Sequence, residues 1–478
     1  MLISKKAPPL VVDLDGTLLK SDLLFETSIS FLKENPFRFL DLFRWLSRGK
    51  ASLKGHLAIE GKIDVQTLPY NEEVITFIKE CKDEGQEVVL ATASHIDLAE
   101  KIATHLELFD SVIATRGTLN LSSHRKKDAL VELYGDKGFD YIGNSKDDLA
   151  VWKSSRKVYL VNPEWQVEKK ASTQGNIDKT LESRPNPVKV WLKAIRLHQW
   201  IKNLLIFVPL LAAHKLTDIN LIAHGLLAFI LFGLCASSVY ILNDILDITD
   251  DRHHPTKKNR AFASGAIPIK FGLIACPILL IASIAGACTL LNTDFTIALI
   301  SYYIITLAYS LKLKREVSID VVTLALLYTM RIIAGALAFG LQLTFWMLAF
   351  SIFMFLSLAL VKRYTELYDA RKKGKTTKTR GRGYYPSDIE MISSLGAASG
   401  YLSVMVLALY LHDEATTAAY RHPHAIWLTC PLLLLWITRM WMLAHRGQMH
   451  DDPVVFALKD RVSILTGVLF CGAFWIAT

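Results

Sequence analysis

The first third of the chain alternates short apolar runs with longer stretches of mixed polarity. Strands that are buried on both faces of a parallel sheet read as continuous apolar runs, and the stretches between these runs are long enough for crossover helices. The pattern therefore predicts an α/β domain with a Rossmann-like parallel sheet over residues 1–164. The predicted strands are Leu10–Leu14, Glu87–Ala91, Ser111–Ala114, Tyr141–Gly143 and Val158–Val161.

A polar segment over residues 165–189 follows and ends in Pro185-Asn186-Pro187, which is typical of a linker. Residues 190–478 then contain nine long apolar runs, each about the 17–25 residues that cross a bilayer core. We therefore predict an all-α integral-membrane bundle of nine transmembrane helices. The runs cover residues 199–216, 220–243, 270–291, 294–311, 320–341, 344–361, 394–413, 422–444 and 462–478.

Composition agrees with a membrane protein. Of the 478 residues, 51% are hydrophobic and 21% are charged, which excludes a disordered chain. The net charge of +9 suits an anionic membrane surface, phosphate-bearing substrates or nucleic acid, and does not choose among them. The six cysteines form no Cys-x-x-Cys pair, so neither a disulfide framework nor a zinc site is predicted.

Basic residues are concentrated in the even-numbered connections between the apolar runs. By the positive-inside rule, we expect these connections and the N-terminal domain on the cytoplasmic side of the plasma (inner) membrane, and the C-terminus outside. The basic stretch over residues 372–382 lies in such a connection, so we interpret it as facing anionic lipid, and no nucleic-acid partner is predicted. Self-association is left open.

Three carboxylates and an amide follow directly on the second apolar run. On a helix, the carboxylates stand at positions i, i+3 and i+7 and share one face. Oxygen ligands at this density suit Mg²⁺, which reaches proteins through carboxylates and substrate phosphates, and Lys257 and Arg260 offer donors to phosphate oxygens. The pattern predicts a diphosphate and Mg²⁺ site, with a solvated acidic loop as the alternative. The ligand candidates are Asn243, Asp244, Asp247 and Asp251.

This segment, with His254-Pro255, Arg260 and Ser264-Gly265, resembles the first Asp-rich motif of the UbiA superfamily of membrane transferases. The resemblance implies nine transmembrane helices, Mg²⁺ as cofactor and a substrate that ionises at the carbon bearing its diphosphate, with Asp244 and Asp247 in catalytic roles. Typical prenyltransferases of the superfamily carry a second Asp-rich motif in the loop between the fourth and fifth helices. Here that loop is basic and is followed by a single acid, Asp320.

Two further segments, Arg196-Leu-His198-Gln199-Trp200-Ile-Lys202-Asn203 and Lys362-Arg363-Tyr364-x-Glu366, resemble the branch that contains decaprenyl-phosphate phosphoribosyltransferase. That branch moves phosphoribosyl from phosphoribosyl diphosphate to a polyprenyl phosphate. One departure is Arg260-Ala261, where Arg-Pro is usual. The substrate-binding candidates are Lys202, Lys257, Arg260, Lys312, Lys314, Asp320, Arg331, Lys362 and Arg363.

Arg331 is placed in the middle of a predicted span, eleven residues after Asp320 and on the same helix face. An ionisable residue at that depth indicates a cavity or a partner charge. A substrate-facing role and a structural pair with an acid on a neighbouring helix both stay open.

In the N-terminal domain, the first predicted strand delivers two carboxylates, Asp13 and Asp15, on one side of the chain before Gly16-Thr17. The segment resembles the first motif of the haloacid dehalogenase superfamily. The resemblance implies Asp13 as nucleophile, Asp15 as general acid and base, Mg²⁺ as cofactor, and a small helical cap over about residues 21–70.

The other motifs of that superfamily follow in order along the domain. Thr92 matches the second motif, Lys126 or Lys127 the third, and Gly143-Asn144-x-x-x-Asp148 the fourth. Asn144 stands where the family usually has Asp, and a degenerate regulatory domain is the alternative to an active one. The implied catalytic residues are Asp13, Asp15, Thr92 and Lys126, and the implied metal ligands are Asp13, Asp15, Asn144 and Asp148.

The two halves together predict a bifunctional membrane enzyme. The membrane half would use Mg²⁺ to move 5-phosphoribosyl from phosphoribosyl diphosphate to a polyprenyl phosphate, and the soluble half would remove the 5-phosphate. One alternative is a prenyltransferase that uses a prenyl diphosphate and an aromatic or quinone-precursor acceptor. Another is a non-catalytic lipid carrier, although a carrier does not need three carboxylates beside a basic loop.

Overall fold

In the computed structural model, the chain forms two compact units. One comprises Met1–Ile195 together with Tyr240–Ala275, and the other comprises Arg196–Val239 together with Cys276–Thr478. The Asp-rich segment is therefore grouped with the N-terminal domain. The structure describes residues 7–117, 120–163, 165–174, 176–378, 382–412, 420, 422–449 and 452–477.

The first unit is built on a sheet of six strands in the order β3-β2-β1-β4-β5-β6, with every neighbouring pair parallel. The four inner strands are almost fully buried, as expected for a parallel sheet covered on both faces. Five of the strands were predicted from their apolar runs. The bounds are β1 Leu10–Val12, β2 Val88–His95, β3 Ser111–Thr115, β4 Asp140–Gly143, β5 Val158–Val161 and β6 Ile177–Leu181.

The expectation of a linker over residues 165–189 is wrong for most of that segment. It contains the helix Trp165–Gln174 and the edge strand Ile177–Leu181, which pairs with β5. The strand was missed because its sequence, Ile-Asp-Lys-Thr-Leu, is largely polar. An edge strand has one exposed face and one unpaired side, so it lacks the continuous apolar run that marks an inner strand.

Nine α-helices complete the N-terminal part of this unit. Four of them lie between the first and second strands. The first three fall where the helical cap was predicted, and they enclose a small core of Phe31, Trp45, Leu53 and Leu57. The bounds are α1 Leu23–Glu34, α2 Phe39–Ser47, α3 Lys50–Glu60, α4 Glu72–Asp83, α5 Ile96–Leu106, α6 His124–Tyr134, α7 Leu149–Ser154, α8 Trp165–Gln174 and α9 Pro187–Ala194.

Seven segments among the described residues are long and apolar enough to cross a membrane, so the count of nine is wrong. The first and last predicted spans are shorter apolar helices, Leu197–Ala212 and Arg461–Ala477. The first of these begins as a 3₁₀-helix over Leu197–Phe207, and Pro209 stands at the start of the α-helix that follows. The seven segments are Ile219–Leu246, Ile269–Leu290, Thr293–Leu311, Ile319–Ala338, Phe345–Lys372, Pro386–Leu411 and His424–His445.

The remaining α-helices are continuous apolar elements or short connecting turns. Asn292 and Thr344 cap two of the long helices, because each side chain accepts a hydrogen bond from a backbone N–H of the first turn. The bounds are α10 Val208–Ala212, α11 Ile219–Leu246, α12 Ile248–Arg252, α13 Ile269–Leu290, α14 Thr293–Leu311, α15 Ile319–Ala338, α16 Phe345–Lys372, α17 Ile389–His412, α18 Pro423–Ile426, α19 Thr429–His445, α20 Pro453–Ala457 and α21 Arg461–Ala477.

Close helix packing in the second unit depends on a glycine. A Cβ atom added at Gly335 of α15 would stand 2.0 Å from the backbone oxygen of Ile206. Neither backbone can move without disturbing its own hydrogen bonds. Small residues at such crossings let two helix backbones approach in a membrane, where packing replaces the hydrophobic effect.

We expect Gly335→Ala to destabilise the protein by about 1–3 kcal/mol, the usual cost of overpacking. The measurement is the apparent unfolding temperature of the detergent-solubilised full-length chain. Gly472→Ala is the matched control, because nothing lies within 4 Å of a Cβ at that position. Equal unfolding temperatures for the two variants would contradict the prediction.

Candidate active sites

The first candidate site lies where the carboxyl ends of two neighbouring strands meet. Strand β1 pairs with β2 on one side and with β4 on the other, so the strand order reverses there. Ligands of open α/β sheets bind at this kind of switch point. Asp13 follows directly after β1, and Asn144 follows directly after β4.

A buried chain of polar groups links Asp13 to Asp148. The Lys126 ammonium lies 2.6 Å from Asp13 Oδ1 and donates to the Tyr141 hydroxyl at 2.9 Å. That hydroxyl donates to Asp148 Oδ1 at 2.7 Å. Lys127 lies at the surface beside Asp128, so the structure selects Lys126 of the two predicted candidates.

Burial raises the pKa of Asp13 to about 7, and Lys126 opposes the shift. Burial alone would lower the pKa of Lys126, but Asp13 and Asp148 hold it above its ordinary value. The lysine therefore stays charged and stabilises the ionised form of Asp13. An ionised carboxylate held by a single cation is suited to nucleophilic attack on phosphorus.

Asp15 is held by the entry to the cap and by the second strand. Its Oδ1 accepts from the Leu23 backbone N–H at 2.8 Å, and its Oδ2 accepts from the Ser94 hydroxyl at 2.7 Å. The backbone N–H of Ser94 in turn donates to Thr92 Oγ1 at 3.0 Å. The predicted residues Asp15 and Thr92 are therefore joined through Ser94, which the sequence analysis missed.

Lys54 is a second residue that the sequence analysis missed. It comes from α3 of the cap, and its ammonium donates to the Ala93 carbonyl at 2.7 Å and to Asn120 Oδ1 at 3.2 Å. Burial lowers its pKa, while Asp15 and Asp22 act in the opposite direction. A lysine on a cap helix carries no motif, so only its position across the site from Asp15 identifies it.

The residues at this site fit an oxygen-liganded cation in one respect. Asn144 Oδ1 is buried and has no hydrogen-bond partner among the described residues. Its amide is packed against Gly16, where a Cβ atom would stand 2.2 Å from Asn144 Nδ2. A buried amide oxygen without a donor is costly, and a bound Mg²⁺ that Asn144 helped to hold would satisfy it.

Asp148 was predicted to be a metal ligand, but both of its carboxylate oxygens accept hydrogen bonds from neighbouring groups. Its Oδ2 accepts from the backbone N–H groups of Asn144 and Ser145 and from the Ser145 hydroxyl, at 2.9–3.1 Å. Because Tyr141 occupies the other oxygen, Asp148 orders the loop that presents Asn144. Within the described part of the chain, no three His, Cys, Asp or Glu side chains are grouped so as to enclose a metal.

The second candidate site is the Asp-rich segment. Helix α11 ends at Leu246 and α12 begins at Ile248, so Asp247 stands at a junction instead of within one regular helix. Helical hydrogen bonds nevertheless continue across it, since the Asp251 N–H donates to the Asp247 carbonyl at 2.8 Å. The expectation of a single helix carrying all three carboxylates is corrected by this break.

Two of the carboxylates converge on one cation. Arg260 Nη1 donates to Asp244 Oδ1 at 3.1 Å and to Asp251 Oδ2 at 2.7 Å, and both carboxylates are buried. Burial raises the pKa of Asp251, although Arg260 opposes the shift. The Arg260 guanidinium thus lies where the two buried carboxylates attract positive charge. Because carboxylate oxygens are also the ligands that Mg²⁺ prefers, Asp244 and Asp251 fit this cation. Lys257 is exposed in the following turn.

Ion pairs join the helical cap to the segment that follows α11. Arg252 forms a buried two-fold ion pair with Glu26 of α1, at 2.6 and 3.1 Å. Lys33 lies 2.8 Å from Asp250. A third contact, between His253 and Asp64, measures 3.1 Å, so the first unit holds its two candidate sites on one framework.

In the second unit, two predicted substrate-binding lysines share one acid. Lys202 and Lys362 lie 2.9 and 3.0 Å from Asp452 Oδ2, and the Tyr328 hydroxyl donates to the same carboxylate. Burial opposes ionisation of Asp452, but Lys362 and Lys202 together hold its pKa well below the ordinary value. Two ammonium groups on one carboxylate leave an excess positive charge, and Asp452 was not among the predicted site residues.

Arg363 and Asp320 form the most deeply buried ion pair among the described residues of this unit. Arg382 Nη1 lies 3.3 Å from the same carboxylate, and the Tyr309 hydroxyl donates to it at 2.8 Å. Arg363 also pairs with Glu366, one turn along α16. Asp320 is therefore surrounded by cations and a phenol of its own chain.

The remaining predicted residues of this unit differ in exposure. Arg331 is buried and donates to Asn203 Oδ1, to the Tyr302 hydroxyl and to the Leu327 carbonyl, at 2.7–3.3 Å. Its guanidinium also lies over three aromatic rings. These contacts are with neutral groups, and both alternatives, a substrate-facing role and a structural pair with an acid, stay open. Lys314 is buried, whereas Lys312 is exposed at the end of α14.

Comparison with known families assigns the two parts of the chain to two families, and the Asp-rich segment falls within the second part. The profile of the UbiA prenyltransferase family matches residues 204–465, and that of the haloacid dehalogenase-like hydrolases matches residues 10–153. The fold and the apolar helices thus define a multi-pass membrane protein with a phosphatase-like domain at its N-terminus. The chain belongs to the UbiA prenyltransferase family and carries a haloacid dehalogenase-like domain.

Three relatives span most of their own length in the comparison. The protein y4nM of Sinorhizobium fredii is 38% identical over 98% of this chain and 91% of its own. Nodulation protein NoeC of Azorhizobium caulinodans is 34% identical over 58% of this chain and 90% of its own. Decaprenyl-phosphate phosphoribosyltransferase of Mycobacterium tuberculosis is 28% identical over 60% of this chain and 92% of its own. The likeness to y4nM therefore includes both domains.

Replacement of the buried lysine separates the two predicted candidates for the third motif. We expect Lys126→Met to lower hydrolysis of p-nitrophenyl phosphate by about 100-fold or more, since it removes the cation that holds Asp13 ionised. Lys127→Met is the matched control and should keep the original rate, because its ammonium lies at the surface. Circular dichroism of both variants checks folding, and equal hydrolysis rates in folded variants would contradict the assignment.

Proposed function

We propose that the membrane half moves 5-phosphoribosyl from phosphoribosyl diphosphate to a polyprenyl phosphate, and that the N-terminal domain removes the 5-phosphate from the product. Membership of the UbiA family supports a transferase that releases diphosphate. One relative carries the name decaprenyl-phosphate phosphoribosyltransferase, which supports this donor and acceptor. The basic residues described above support the binding of two anionic substrates.

The observation that carries the choice of donor is the environment of Asp320. A prenyltransferase with two Asp-rich motifs would need acids between α14 and the start of α15 to hold a second metal. Here the acid at that place pairs with Arg363 and Arg382. An acid neutralised by two guanidinium groups is a poor metal ligand, whereas the arginines that it orients are suited to phosphate oxygens. This favours a donor with an additional phosphate group over a prenyl diphosphate.

We assign the acceptor phosphate to Lys202 and Lys362. Their shared carboxylate, Asp452, positions both ammonium groups and leaves one excess positive charge. A lipid phosphate would add a second anion beside Asp452 and so balance the charge of the two lysines. The two lysines would thus hold the attacking phosphate oxygen within the membrane half. The polyprenyl chain of the acceptor would stay in the lipid.

The donor diphosphate is assigned to the Asp-rich segment. Asn243, Asp244, Asp247 and Asp251 would hold Mg²⁺, which when bound neutralises the departing diphosphate. Arg260 would then leave the two carboxylates and donate to a phosphate oxygen. Displacement of the diphosphate by the lipid phosphate breaks the C1–O bond of the sugar and forms a new bond from C1 to the acceptor oxygen.

The N-terminal domain would act next, with Asp13 as nucleophile on the 5-phosphate and Asp15 as proton donor and acceptor. Removal of this phosphate is irreversible in water and would draw a near-balanced transfer forward. The ion pairs between α1 and the residues after α11 support the coupling of the two steps, because they keep the phosphatase close to the segment that binds the donor.

Transfer is tested with detergent-purified full-length protein, Mg²⁺, a polyprenyl phosphate and radiolabelled phosphoribosyl diphosphate. We expect label in the lipid extract, and Asp244→Ala should reduce it by about 100-fold or more, because that variant loses a buried ligand of the diphosphate site. Asp294→Ala is the matched control, since Asp294 lies in the first turn of α14 and belongs to no candidate site.

Lipid label that persists in Asp244→Ala would contradict the assignment of the donor site. Absence of lipid label from the unmodified protein, together with activity on a prenyl diphosphate and an aromatic acceptor, would establish the alternative prenyltransferase. A carrier would show neither activity.

Coupling of the two steps is tested by phosphate release from the labelled lipid. Asp13→Asn should abolish this release, so that the phosphorylated lipid accumulates. Arg252→Met should slow it several-fold without changing hydrolysis of p-nitrophenyl phosphate, because the variant loosens the cap from the segment after α11 and leaves the catalytic groups in place. Lys258→Met, in the same loop and exposed, is the control. Equal release by the unmodified protein and Asp13→Asn would refute the coupling.

A further inference from the structure

Helix α2 of the cap is apolar on two faces. Trp45 points into the small core of the cap, where Leu42 packs against it. The opposite surface is also apolar, although a helix on the surface of a soluble domain normally presents polar residues to water. Phe37, just before the helix, is 94% exposed, and Phe43 in its middle is 65% exposed. The outward-facing apolar residues are Phe37, Phe39, Leu40, Phe43 and Leu46.

These five residues form a contiguous strip, which we term the cap strip. With 100° between successive residues, Phe39, Leu40, Phe43 and Leu46 fall within about one third of the helix circumference. Three exposed aromatic rings and two leucines exceed the scattered apolar residues that a water-facing surface carries, and such patches mark interaction sites.

The charges around the cap strip are predominantly positive. Arg44, Arg48 and Lys50 are exposed on α2 or directly after it. The neighbouring acids Asp41 and Glu60 are both paired with Arg38. A short helix with aromatic and aliphatic residues on one face and basic residues at its border has the composition of helices that lie in the interface of an anionic bilayer.

The position of the cap within the first unit places a bilayer within reach. Helix α1 is bonded to Asp250 and Arg252, and these residues follow the end of the membrane-spanning helix α11 by only four and six positions. At 1.5 Å per helical residue, that separation is about 6–9 Å along the axis. The cap is therefore bonded to residues a short distance beyond the end of a membrane-spanning helix, and an exposed apolar strip is stabilised by contact with acyl chains or protein.

We propose that the cap strip inserts into the surface of the bilayer that holds the membrane half, so that the phosphatase domain is a peripheral membrane domain in its own right. Phe37, Phe39 and Phe43 would enter the acyl boundary, and Arg44, Arg48 and Lys50 would contact anionic headgroups. Insertion would hold the phosphatase domain at the membrane surface, where a lipid-linked phosphate is presented. The insertion does not depend on the transfer reaction proposed above.

The test uses the full-length chain in nanodiscs of phosphatidylcholine and phosphatidylglycerol, with Cys288 and Cys471 replaced by Ser because both are exposed. A nitroxide is attached at Phe43→Cys, and its collision rates with oxygen and with a water-soluble nickel chelate are compared. Insertion predicts a rate with oxygen several-fold above the rate with the chelate. Leu133→Cys on α6 is the control, since Leu133 is 62% exposed on the sheet domain and should give the opposite order.

Greater access of the nickel chelate than of oxygen at position 43 would overturn the proposal, because the strip would then face water. Low access of both reagents would also overturn it and would indicate a protein partner or a second copy. Phe43→Ser provides a second readout: it should slow hydrolysis of a lipid-linked phosphate several-fold and leave hydrolysis of p-nitrophenyl phosphate unchanged. Equal hydrolysis of the lipid-linked phosphate by this variant and the parent would count against insertion.

Discussion

A charge removed from water needs an opposite charge beside it, and the ion pair between Glu26 and Arg252 meets this requirement across 226 residues of sequence. Loss of one partner from a buried pair costs about 3–5 kcal/mol, since the other charge is then left without compensation. The pair therefore holds the cap of the phosphatase-like domain against the segment that follows a membrane helix. The attachment lies between the two candidate sites of the first unit, since Asp15 is bonded at the entry to the cap and Asp251 lies next to Arg252.

The same constraint organises each charged site. Lys126 stands between Asp13 and Asp148, Arg260 between Asp244 and Asp251, and Asp452 between two lysines. In the first two sites a cation joins two acids, and in the third an acid joins two cations. The first pair of sites is thus suited to a metal and a phosphate ester, and the third is suited to an added anion. Phosphate chemistry on a membrane needs both kinds of site.

Much of the architecture follows from local patterns. Inner strands such as Val88–His95 are buried on both faces, so their apolar runs identify them, and the long membrane helices have runs set by the thickness of a bilayer. The sequence predicted elements with weaker local patterns incorrectly. The edge strand Ile177–Leu181 is polar on its open side, and the shorter helices Leu197–Ala212 and Arg461–Ala477 carry apolar runs without the length of the other seven.

The sequence by itself determined the two families, the order of the domains and the residues of the two Asp-bearing motifs, since catalytic chemistry demands particular residue types at fixed spacing. Tertiary structure alone decided which of Lys126 and Lys127 meets Asp13, and that Ser94 and Lys54 join the same site. It also decided that Asp320 forms ion pairs with arginines and that the cap is attached through Glu26 to Arg252. These choices depend on which side chains are buried together, and distance along the chain contains no information about that.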